Sequence, residues 1–139
     1  MFHSISYFIV PSLRSIQLYK EQISLHMALD LFVKEIRASV VTQWQEIAAD
    51  SIIWSDQEKE VGWQYQNGRL ERIQGIYKDG VWKKRRTSVI AINIHFLAFR
   101  YDIVAEKLVG IEVVLTGSRC LQKPVRGYVG IRKQGKIYV

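Results

Sequence analysis

Cysteine is nearly absent from this chain: Cys120 is the only one in 139 residues. A lone thiol can neither close an intrachain disulfide nor build a thiolate metal cluster, so a reducing compartment is the simpler expectation. Proline occurs twice and glycine nine times, which excludes collagen-like and linker-type composition. Long apolar runs are missing too. The longest, Ser88 to Phe99, has twelve residues and contains Asn93 and His95, whereas a bilayer span needs roughly 20. It reads as a buried helix, and no membrane is expected among the partners. The opening Met1-Phe2-His3-Ser4-Ile5 is apolar but lacks a positive n-region, and no small-residue cleavage site stands out, so no secretory signal is expected. Arginine is too sparse there for a classical transit peptide. An organellar location would have to be reached another way, including synthesis inside the organelle.

Signatures of catalysis are equally scarce. His3, His26 and His95 have no cysteine partner and no His-x-x-x-His spacing. His95, inside the apolar run, reads as a packed histidine, and His26 with Asp30 as a helix-surface pair. Gly110 precedes a strand where a dinucleotide-binding glycine would follow one, and there is no Gly-Lys-Ser/Thr run. Ser118 lies outside any Gly-x-Ser-x-Gly elbow. Asp102, Glu106 and Glu112 are the carboxylates to test for a metal-dependent nuclease, but Glu112 is followed by Val113-Val114 with no lysine two residues on. The expectation is no enzyme, no cofactor and no metal.

What is present is core material and positive charge. Apolar residues make up 48% of the chain, with four Trp and seven Tyr, so the chain is not of disordered type. The net charge of +7 is unevenly spread: residues 1–68 carry five Lys/Arg against eight Asp/Glu, and residues 69–139 carry fifteen against five. That split suggests an acidic, mainly helical N-terminal region over 1–68 and a basic α+β region over 69–139, the latter facing a polyanion.

Along the chain, Ile16, Tyr19, Ile23, Met27, Leu31, Phe32 and Ile36 recur with helical spacing after Pro11, which predicts a helix from Ser12 or Arg14 to about Ala38. Val40 to Ile53, with Trp44, Ile47 and Ala48 on one side, reads as a second helical or mixed stretch. The acidic 56–60 segment reads as a solvated loop. Strand-like alternation between Val61 and Trp82 is punctuated by Asn67-Gly68 and Asp79-Gly80, two strong hairpin signals. Ile90, Ile94, Leu97, Ala98, Tyr101, Ala105 and Leu108 then predict a long helix over 87–108. A strand over 109–116 with Ile111, Val113 and Leu115 inward, a strand over 125–132 and a closing strand over 136–139 complete the reading. The predicted class is α+β: N-terminal helices, a central β-hairpin region, and a long helix packed on a small C-terminal sheet.

The candidate site is basic and aromatic. Between Gly117 and Lys136 stand Arg119, Lys123, Arg126, Arg132, Lys133 and Lys136, with no acid. Arginine meets phosphate as a bidentate fork and lysine as a point charge. Tyr128 is available to stack on a base. Lys83, Lys84, Arg85 and Arg86 form a second patch at the start of the predicted helix, where four cations oppose the helix dipole unless an anion offsets them. A localisation signal is the alternative reading of that run.

The run Val109-Gly-Ile-Glu-Val-Val-Leu-Thr-Gly-Ser-Arg119, the loop exit Lys123-Pro-Val-Arg126 and the final Gly135-Lys-Ile137 resemble the C-terminal domain of small-subunit ribosomal protein three, in its divergent mitochondrial type. The likeness covers residues 88–139. Ser118 separates Gly117 from Arg119 where that family has them adjacent, and the Gly-x-x-Gly loop of the family's other domain is absent. The resemblance implies a structural component of the small, mitochondrial ribosomal subunit, otherwise a cytoplasmic one. It would contact ribosomal RNA and neighbouring small-subunit proteins and perform no catalytic step. Two other readings stand beside it: a phage or mobile-element DNA-binding or nuclease-related protein, and a protein-interaction module using the Trp-rich region 44–82.

Overall fold

The computed structural model describes residues 2–57, 59–117, 123–131 and 136–137, with side chains from residue 16 onward except those of residues 18, 136 and 137. One helix, α1 (Phe2–Ala38), precedes β1 (Val41–Ile47), β2 (Ser51–Asp56), β3 (Lys59–Gln66), β4 (Arg69–Lys78) and β5 (Val81–Ala91). Then follow β6 (Ile94–Val104), β7 (Lys107–Gly117), β8 (Val125–Gly130) and β9 (Lys136–Ile137). Strands β1 to β5 form an antiparallel meander, which β9 extends by pairing parallel to β1, giving the order β5-β4-β3-β2-β1-β9. Strands β6, β7 and β8 form a second, antiparallel sheet. The described residues are therefore mostly β with a single helix, which corrects the α+β expectation of several N-terminal helices and a long second helix on a small C-terminal sheet.

Helix α1 forms where expected but runs through Pro11 instead of starting after it. From Ser12 to Ala38 it meets no glycine or proline. It ends where the β-branched Val40, Val41 and Thr42 begin, since such side chains lose rotamer freedom against the preceding turn. The Ser39 hydroxyl and amide both donate to the Glu35 carbonyl, at 2.6 and 2.9 Å, closing the last turn.

The stretch over 40–53 is two strands, not a helix. Val41, Trp44 and Ile47 are all buried, a spacing of three that imitates a helix. Register shifts between Val41 and Gln43 and between Trp44 and Glu46 produce it, because each bulge adds a residue and returns the next apolar side chain to the same face.

The predicted helix over 87–108 is likewise absent; its residues end β5, form β6 and begin β7. A register shift between Ile94 and Phe96 makes Ile94 and Leu97 both inward. The turn joining β6 to β7 is Ala105-Glu106, with φ of 52° and 65°. Neither residue announces a turn, so the hairpin was hidden. Asn67-Gly68 and Asp79-Gly80, also left-handed at both positions, make the two hairpins their sequence signals. Ile111, Val113 and Leu115 of β7 are buried as expected. The C-terminal strands do not pair with each other, since β8 joins β7 and β9 joins β1.

One apolar core links helix and both sheets. Leu25, Ala28, Leu29, Phe32 and Ile36 of α1 enter it, spaced as one helical face. The Phe32 ring lies 5.3 Å from Trp63 of β3, 5.4 Å from Phe99 of β6 and 6.3 Å from Trp54 of β2. Beside it, Glu35 accepts from Trp63 Nε1 at 2.6 Å and from Arg72 Nε at 2.8 Å, with Arg72 Nη2 at 2.7 Å. The sheets are joined at their ends by the Ile94 amide on the Gly68 carbonyl (2.8 Å) and the Phe99 amide on the Ala49 carbonyl (2.7 Å). Tyr101 Oη donates to the Ala48 carbonyl at 2.9 Å, and burial pushes its phenol well above the usual range.

Candidate functional site

The cations singled out by the sequence fall in separate places. Lys83, Lys84, Arg85 and Arg86 are exposed on β5, the outermost strand of the larger sheet. Lys83 pairs with Ile76 and Arg86 with Gln74, so Lys84 and Arg85 bulge opposite Gly75, with Lys84 at φ 52°. A Cβ at residue 75 would lie 2.9 Å from the Lys83 carbonyl oxygen, and only glycine admits that approach. No helix begins here, so the helix-dipole argument for an anion falls away. None of the four has an ion-pair partner among the described residues.

Arg126 of β8 shares Glu112 of β7 with Arg100 of β6, at 3.9 and 3.6 Å. These ion pairs are solvated and contribute about 0.5 kcal/mol each. Lys123 is exposed ahead of β8, and Lys136 lies beside Gln43 of β1 in the backbone register. Arg119, Arg132 and Lys133 lie outside the described residues. Strands β5 and β9 are opposite edges of one sheet and β8 belongs to the other, so the basic patches are not gathered on one strand pair. Five strand spacings, roughly 24 Å along the sheet, separate those edges.

Tyr128 is half-exposed, but its ring lies over Gly110, where an added Cβ would overlap the hydroxyl, and Oη donates to Asp102 at 3.1 Å. One face of the ring is thus covered. His95 is exposed on β6 and not packed in a helix. The Trp-rich region also turns inward: Trp44, Trp54 and Trp63 are fully buried, and Trp82 rests on Gly62 and against Tyr77. Those three buried tryptophans cannot be interface anchors.

A surface that sequence reasoning left unassigned is on α1. Of the residues whose spacing marked the helix, Phe32 and Ile36 are buried, while Ile16, Tyr19, Ile23, Met27 and Leu31 are all exposed, Tyr19 at 67% and Met27 at 60%. The buried face is Leu25, Ala28, Leu29, Phe32 and Ile36. At about 100° per residue the two stripes lie about half a turn apart. A helix apolar on both sides has two packing surfaces, and the fold uses one. The exposed stripe extends about 22 Å at 1.5 Å per residue, which is beyond the scattered single exposures expected of any surface. The signal was present in the sequence as a second apolar row.

Two of the surface hollows lie beside these elements. The larger, about 750 Å³, lies where α1 ends and is lined by Ile36, Arg37, Val41, Val109 and Ile131 among others. The smaller, about 240 Å³, holds Glu46, Gln64, Tyr77 and Trp82. There Tyr77 Oη donates to Glu46 Oε2 at 2.5 Å. That bond, with burial and the carboxylate's charge, pushes the Tyr77 phenol from its usual 10.0 to about 12. An acid whose folded value is raised adds stability below its unfolded value and loses it as pH climbs through the folded one. The Tyr77 contribution is therefore complete below about pH 10 and lost toward pH 12. The near-ultraviolet titration of the protein minus that of Tyr77→Phe should show one phenol ionising near pH 12. A difference centred near pH 10 would show that the Tyr77–Glu46 bond does not form.

Among the described residues no group of three or more His, Cys, Asp or Glu could hold a metal, and no helix is long and apolar enough to cross a membrane. No protein-family model matches the chain, and no curated protein matches it.

Proposed function

We propose that this protein is a structural subunit that assembles through the outer face of α1, the β-sheets forming a body carried on that helix. The observation behind this reading is the exposed stripe Ile16, Tyr19, Ile23, Met27 and Leu31, on the side of the helix away from its own core. Water leaves such a surface when a second helix seats its side chains between these ridges. The β-body is held to the helix independently, by Phe32 and Glu35. The stripe can therefore be changed without removing what holds the fold together.

The double variant Ile23→Glu, Met27→Glu tests it. Sedimentation velocity of the full chain should show the assembled species replaced by a slower one, while the circular dichroism spectrum stays as in the parent and the melting temperature loses its dependence on protein concentration. Unchanged assembly in the variant would sink the reading.

A second reading keeps the polyanion. Lys83, Lys84, Arg85 and Arg86 are four successive exposed cations with no ion-pair partner among the described residues. On this reading β5 lies against RNA; that the RNA is ribosomal is what the resemblance of residues 88–139 to a mitochondrial small-subunit protein implies, and the β5 cations stand ahead of that span. It ranks second because charged side chains on an edge strand also serve to block sheet-to-sheet pairing. Reversing Lys83 and Arg85 to glutamate should reduce the slope of log affinity against log salt for single-stranded RNA by roughly 0.7 for each phosphate no longer neutralised. Binding that is indifferent to both salt and reversal would remove the polyanion from consideration.

A further inference from the structure

We infer that the occupant of the α1 stripe is α1 of a second copy of this chain, packed antiparallel with its two-fold axis at Leu25. This rests on the assembly reading above and adds the partner and its orientation. In an antiparallel pair centred at the level of position 25, residues whose numbers are equally far from 25 lie at the same level, and those near the middle of the stripe face each other. Ile23 then meets Met27 of the second copy across the seam, and Tyr19 and Leu31 flank that contact at their own level from its two edges, so four of the five exposed apolar side chains lie in or beside the seam. Ile16 meets Lys34, whose aliphatic stem can cover it while the ammonium stays in water.

The charges agree with the same centre. Lys20 and Asp30, both exposed on this side of the helix, are each five positions from Leu25. Lys20 of each copy faces Asp30 of the other, and the axis generates the pair twice. Parallel in-register packing would instead set Lys20 beside Lys20 and Asp30 beside Asp30. Because Leu25, Leu29 and Phe32 bind α1 to its own body on the opposite side, the two bodies would lie on the outer flanks of the helix pair, clear of each other. The interface uses the same patch on both copies and closes on itself, as two-fold association does.

The experiment uses the full chain with Cys120→Ser as background. Under oxidation, Ile23→Cys with Met27→Cys should give a disulfide-linked species of two chain masses, with peptide mapping joining position 23 to position 27. Ile23→Cys alone should stay uncross-linked, because two copies of position 23 would be about 6 Å apart along the axis as well as apart across the seam, beyond disulfide reach. A 23-to-23 bond would show parallel helices and overturn the orientation. The charges are read separately: Lys20→Asp should weaken dimerisation about tenfold, from two pairs turned repulsive, and adding Asp30→Lys should restore it. No restoration would overturn the pairing. A photo-reactive residue at Met27 in the expressing cell separates this inference from its premise. An adduct of two chain masses supports the second copy. An adduct of any other mass overturns the second copy but leaves helix-mediated assembly standing, and no adduct at all overturns both.

Discussion

Replacing Phe32 with alanine should destabilise the protein by about 4 kcal/mol, the cost of emptying a large aromatic site in a packed core. Phe32 is 2% exposed and is the side chain of α1 on which the rings of β2, β3 and β6 converge. Trp54, Trp63 and Phe99 come from three strands of two sheets, so they cannot close together over the void without moving the sheets. The loss should appear as a lower urea midpoint at unchanged m-value, since the surface exposed on unfolding is nearly the same. Met27→Ala, five residues earlier on the exposed face, should change the isolated chain by no more than about 0.5 kcal/mol. Equal losses at the two positions would mean that the helix has been assigned the wrong inward face.

Glu35→Ala should cost about 3 kcal/mol, because it strands two donors at once. The Glu35 carboxylate takes the Trp63 indole N–H and both the Nε and Nη2 of Arg72. Without it, a fully buried indole has no acceptor, and a guanidinium only 22% exposed loses its counter-charge and keeps only the Nη1 bond to Gln74 Oε1 at 3.2 Å. Removing both ends of the ion pair, as Glu35→Leu with Arg72→Met, should recover most of the loss, since an apolar pair replaces an unpaired charge. A double-mutant cycle measures that coupling. Additive losses would show that Arg72 and Glu35 act independently. Helix docking thus has one apolar and one polar anchor three residues apart, and neither touches the outer stripe that the assembly reading uses.

How much of this was legible in the sequence depended on whether a local signal had a local cause. Asn67-Gly68 and Asp79-Gly80 were readable because a two-residue hairpin turn needs positive φ and these residues accept it. The Ala105-Glu106 turn has the same backbone without the signature, so β6 and the start of β7 read as one helix. Bulges deepened the error. They set Val41, Trp44 and Ile47, and again Ile94 and Leu97, three residues apart on one buried face, so that period alone favoured a helix. The β-branched and aromatic content of Ser88 to Phe99 pointed the other way. The basic residues were visible as residue types, but their distribution over β5, β8 and β9 follows from sheet pairing over long sequence separations.

By itself the sequence determined that the chain would fold around an aromatic core without disulfides, that residues 12–38 would be helical, and that its positive charge would lie in the second half. The tertiary structure decided which of α1's two apolar rows faces inward. Periodicity defines a row but not its direction. That choice was made by the rings of Trp54, Trp63 and Phe99, which offer Phe32 a site, and by Arg72, which draws Glu35 to the same side and leaves Ile16, Tyr19, Ile23, Met27 and Leu31 on the outside.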